Sequence, residues 1–185
     1  MSTSEPLRDA ITRAMVEEVE GRTEWEVAPE LWRISLRDGQ PVLNQIPVPE
    51  GLWALARPPQ VLEEIARAAS NARYYPGQAE DDAEYGPAYG FGFLYEGWAI
   101  HSDTMCGSER DQADAAAHRL HTRPDRVEVR LFAAVDRDQI TYHVMKSRNG
   151  GAFAQVEVHP PGDSHSIGGV VIDALAQLVK GVVGG

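Results

Sequence analysis

The sequence predicts an α+β domain: a mainly antiparallel sheet of five or six strands, ending in a three-stranded meander and packed by helices on one face. Apolar residues alternate strictly over much of 126–159, recur at helical spacing near both termini and over 58–72, and are separated by Gly, Asn, Asp and Pro. The expected order is α-β-β-α-β-(α)-β-β-β-α, in a single domain over residues 1–185. At this length one core buries most of the apolar surface of the unfolded chain, so stability requires no metal or disulfide.

Ser4 caps a helix over 5–20 with an apolar stripe of Leu7, Ile11, Ala14, Met15 and Val19; Pro6 suits its first turn and Gly21 its end. Beyond Glu24 the period becomes that of a strand. Leu31, Arg33 and Ser35 alternate with Trp32, Ile34 and Leu36, and Arg37-Asp38-Gly39-Gln40 turns the chain into 42–46. Pro41, Pro47 and Pro49 confine this second strand to an edge.

Pro58-Pro59 opens a helix to about Ala72, with Val61, Leu62, Ile65, Ala66 and Ala69 inward and Leu52, Trp53 and Leu55 beneath its start. Residues 74–87, with the acidic run Glu80-Asp81-Asp82-Ala83-Glu84, read as a loop. In 88–101 both sides of the strand carry large residues, which fits a central strand covered on both faces or one walling a pocket. Gly90, Gly92 and Gly97 leave room there for a ligand or a neighbouring helix. Residues 103–124 are mostly polar, and they form either a short helix from Ser108 through His118 or a disordered segment. After the meander, Ser164 or Ser166 caps a helix with Ile167, Val170, Val171, Ala174, Leu175, Leu178, Val179 and Val182 inward.

Within the meander, Val127, Val129, Leu131, Ala133 and Val135 share one side of a strand. A two-residue turn at Arg137-Asp138 pairs Val135 with Ile140, Ala133 with Tyr142 and Leu131 with Val144, all on that side. The second hairpin needs a three-residue loop, Asn149-Gly150-Gly151, with a glycine at positive φ, to set Val156 opposite Val144 and Val158 opposite Tyr142. The opposite face then gathers Glu128, Arg130, Phe132, Thr141, His143, Met145, Gln155, Glu157 and His159.

A net charge of −11 disfavours nucleic acid, since the scattered arginines form no basic face. Arginine outnumbers lysine fifteen to two and alanine is frequent, which points to a GC-rich bacterial or phage genome. Cys106 is the single cysteine and has no internal disulfide partner. No apolar run is long enough to span a membrane, and Met1 to Pro6 lacks the basic and apolar regions of a secretory signal, so the cytoplasm is the expected compartment.

No phosphate-binding loop, G-x-S-x-G or spaced CxxC pair is present, and Gly90-Phe91-Gly92 lacks the rest of a dinucleotide fingerprint. His118 and His121 have helical spacing for a shared metal, but a zinc site needs further ligands, so two solvated histidines and no metal are expected. Glu96, His101, Asp103 and Cys106 cluster at the end of the aromatic strand. Their acidity would raise a thiol pKa, so an idle cysteine is expected rather than a nucleophile. The acidic run mimics a phosphate backbone, grips a basic partner or, more plainly, is a solvated loop.

The site expected is therefore the sheet face and the adjoining strand end: Glu96, Glu128, Arg130, Phe132, His143, Met145, Glu157 and His159. Phe132 and Met145 are poorly suited to a wholly wet surface. The leading expectation is a non-enzymatic, cofactor-free cytoplasmic protein-binding or accessory protein, immunity-like in kind, acting through that face on a protein partner. The alternative is a small enzyme or ligand-binding domain with a pocket between strand 88–101 and the Glu128/Arg130/His143/Glu157 face. Self-association as a homodimer through an uncovered sheet face or edge is the third reading.

Overall fold

The most apolar strand lies where its two hydrophobic sides require, inside the sheet. The computed structural model describes residues 4–73, 75–100, 113–114, 119–150, 154–162 and 169–183. Helix α1 (Glu5–Gly21) precedes strands β1 (Glu30–Arg37) and β2 (Gln40–Ile46). Helices α2 (Glu50–Trp53), α3 (Pro58–Ala72) and α4 (Gln78–Tyr85) lead to β3 (Ala88–Ile100). A 3-10 turn (Leu120–Thr122), β4 (Arg126–Asp136), β5 (Thr141–Ser147), β6 (Gln155–His159) and α5 (Gly169–Val182) follow. The strands form one six-stranded sheet in the order β2-β1-β3-β4-β5-β6, with every neighbouring pair antiparallel. The α+β class and the C-terminal meander are as the sequence predicts.

Helices cover both faces, not one. Ile11, Met15 and Val19 of α1 pack with Trp32, Ile34, Leu94, Phe132, Ala134, Tyr142 and Val144. On the other face Leu62 and Ala66 of α3 and Val171, Leu175 and Leu178 of α5 pack with Leu31, Phe91, Phe93, Ala133 and Val135. The central strands carry apolar residues at successive positions, so neither side can be left in water. The room beside Gly90 and Gly92 is taken by β4. A Cβ at Gly90 would lie 2.6 Å from the Val135 carbonyl oxygen, and one at Gly92 would lie 2.6 Å from the Phe132 ring.

Asp38 and Gly39, at φ 52° and 76°, make the two-residue turn that pairs Arg37 with Gln40. Trp53 packs against Phe93 with ring centroids 5.6 Å apart and planes tilted by 40°, but Leu52 and Leu55 are exposed instead of packing beneath α3. The expected loop at 74–87 contains helix α4, whose Asp82 is bound by the buried Arg33. The helix expected from Ser108 to His118 falls almost wholly outside the described residues, as do the proposed caps Ser164 and Ser166, Ile167, and Gly151 of the second hairpin.

The first meander hairpin departs from the expected register by one residue. Val135 pairs with Thr141, Ala134 with Tyr142 and Phe132 with Val144. The cause is Asp136. Its carboxylate accepts the amides of Asp138 (2.9 Å) and Ile140 (3.0 Å) and the Tyr142 hydroxyl (2.8 Å), while its own amide bonds the Ile140 carbonyl. The turn is thus Arg137-Asp138-Gln139, closed by Gln139 in the left-handed region at φ 61°. The second hairpin pairs Val144 with Val156 and Tyr142 with Val158, as expected. Together these registers put Val129 and Val156 on opposite sides of the sheet.

Candidate functional site

This slip divides the expected site. Glu96, Glu128, Arg130 and Phe132 lie on the α1 face, whereas His143, Met145, Glu157 and His159 lie on the α3/α5 face. No single surface or pocket holds all eight. The pocket drawn from Glu128, Arg130, His143 and Glu157 is not formed, because two of the four are on each side of the sheet.

The first group is occupied internally. Arg130 is fully buried, pairs with Glu96 at 2.8 Å, and donates to the carbonyls of Arg22 (3.1 Å) and Glu24. Its guanidinium lies 4.6 Å from the Trp25 ring centroid. The second oxygen of Glu96 accepts the Glu26 amide at 2.6 Å, holding Glu26 at φ 65°. Arg130 and Glu96 therefore strap residues 22–26 across the sheet, and Arg148 extends the strap through Glu128 (2.7 Å) and Glu26 (3.4 Å). Phe132 packs against Trp32 in the α1 core, which explains why it suited no wet surface.

The second group lies at the β5–β6 end. His143 is 3% exposed and faces Glu157 across the strands, and neither ring nitrogen has a hydrogen-bond partner. Burial, with a smaller contribution from His159, pushes its pKa down to about 4. The two imidazoles meet edge to face at 5.7 Å, and His159 Nε2 donates to Glu157 at 3.2 Å. Met145 is half-buried beside them. His143 is thus a neutral core ring, while Glu157 keeps 40% of its side chain exposed. Among the described residues no group of three or more His, Cys, Asp or Glu side chains is placed to hold a metal. His118, His101, Asp103 and Cys106 lie outside the described residues.

The structure also shows a polar cluster that sequence reasoning missed. Arg33, fully buried, donates to Tyr75 Oη (2.8 Å), Asp82 (2.6 Å) and the Gly86 carbonyl, while Tyr75 donates to Asp81 at 2.8 Å. Burial first, and then Asp81, raises the Tyr75 pKa well above its ordinary value. The acidic run thus grips a basic partner within the same chain, and α4 forms over it. The signal was Arg33 itself, a cation amid the apolar run of β1. A groove of about 730 Å³ between α3 and α5 is lined by Ser70, Arg73, Asp173, Gln177 and Lys180. Arg73 and Lys180 there cap or flank the carbonyl ends of their helices, where cations are favoured without any ligand.

The strand that carries Glu157 and His159 also has an open side. β6 is the last strand of the sheet, and Val156 and Val158 are 42% and 39% exposed on the α1 face. Its outer backbone edge meets no further strand among the described residues. An uncovered edge with exposed β-branched residues is a template for an added strand. No protein-family model matches the chain, and neither a curated protein nor a solved structure matches it.

Proposed function

We propose that this chain is a non-enzymatic protein-binding protein that takes an extended segment of its partner as an added strand on β6. The observation that carries this is the pair Val156 and Val158, exposed side by side on the terminal strand of the sheet. Glu157 and His159 of the expected site belong to that strand, and His143 and Met145 lie on its neighbour. Glu96, Glu128, Arg130 and Phe132 serve the fold. The arginine bias fits a bacterial or phage accessory protein, immunity-like in kind and cytoplasmic, and the charge of −11 disfavours nucleic acid as the partner. The enzyme reading loses its site with the division of Glu128 and Arg130 from His143 and Glu157.

The test is affinity capture from the native host with the wild type beside a V156K/V158K double variant. The wild type is expected to retain a partner that the variant loses, with both proteins equally folded. The same partner on both, or no partner on either, would remove the proposal.

A further inference from the structure

We infer that the segment added to β6 carries a Lys or Arg flanked by apolar residues, the cation beside Glu157 and its neighbours over Val156 and Val158. This rests on the proposed use of the β6 edge and specifies the chemistry of the partner. Side chains of an added strand alternate between faces in step with β6. On the α1 face they meet Val156 and Val158, which favour apolar contacts. On the other face they meet Glu157, whose single ion-pair partner among the described residues is the His159 imidazole, with the neutral His143 opposite. No lysine or arginine of the described chain pairs with this carboxylate. The protein's charge of −11 adds a long-range field that draws a cationic segment in.

A second copy of the chain fits the same edge poorly. In a symmetric antiparallel pairing that sets Val156 against Val158 of the other copy, Glu157 falls directly opposite its own counterpart, and like charges so placed are destabilising. The overall charge opposes that encounter as well.

The experiment uses two short capped peptides of alternating valine and threonine, one with lysine at a central threonine position and its twin with glutamate there. Each is titrated at low salt into the full chain while the backbone amides of β6 are followed by NMR. The lysine peptide is expected to perturb β6 and to bind about tenfold more tightly than its twin. Glu157→Gln should bring that ratio close to unity without moving the perturbed site. Equal binding of both peptides at β6 would overturn the charge assignment and leave the edge reading standing. Failure of both to perturb β6 would overturn the two together. Concentration-dependent dimerisation abolished by V156K/V158K would give the edge to a second copy and refute the inference.

Discussion

The two edges of one sheet differ in what protects them. β2 carries Pro41, is followed by Pro47, buries Ile46 in the α3/α5 core, and lies against α1, with Leu43 packed on the α1 core. β6 carries no proline within its own span, although Pro160 and Pro161 follow it as Pro47 follows β2, and its valines lie beyond the cover that α1 gives Tyr142 and Val144. A proline removes a backbone donor, and a covering helix keeps other chains away. An edge with no proline inside it and no covering helix is open to pairing, which supports the proposed use of β6.

The contrast between buried machinery and open edge should be widest at Arg130. Arg130→Ala leaves the largely buried Glu96 carboxylate and two strap carbonyls without their cation, and is expected to cost about 3–5 kcal/mol in urea unfolding. Val158→Ala, at a site 39% exposed, should cost less than about 1 kcal/mol. Lost binding by an Arg130 variant would therefore report unfolding, not contact. Between the edges themselves, Ile46→Ala, at 5% exposure, is expected to cost about 2–5 kcal/mol. Equal costs for the Ile46 and Val158 truncations would erase the difference on which the assignment depends.

Acid should act on the β6 end, since β2 contains no histidine. The unfolded imidazole of His143 takes its proton near pH 6.5, while the folded one resists until about 4. Stability is therefore full above pH 6.5 and falls as the pH drops to about 4, by roughly 3 kcal/mol at about 1.4 kcal/mol per pKa unit. His143→Leu should flatten this window in unfolding measurements and cost little at pH 7, because the ring it replaces makes no hydrogen bond. An unchanged pH slope would place the acid sensitivity elsewhere. The smallest expected stability change is that of V156K/V158K, within about 0.5 kcal/mol of wild type, because long cationic side chains reach water from an exposed edge.

Much of the fold was legible because local signals agreed with one another. The proline pair and apolar stripe of α3 gave its bounds, and Asp38-Gly39 gave the first hairpin. The β4–β5 register was not legible, because alternation specifies a register only where one face is wet. Here Val135 and Ile140 are both buried, on opposite sides, and the choice was made by the carboxylate of Asp136. Helix α4 was hidden for a related reason: it is held by Arg33, distant in sequence, and buries no apolar stripe of its own. The candidate site inherited the register error. Four of its residues are internal strap and core, while Val156 and Val158, which the expected pairing sets on the face opposite the site, are exposed.

Hydrogen exchange of the backbone amides, with and without the captured partner, tests the open edge most directly. The outward amides of residues 155–159 are expected to exchange rapidly in the free protein and become protected in the complex, while those of β2 keep one rate throughout. Strong protection of β6 in the free monomer, or protection on binding confined to other elements, would contradict it.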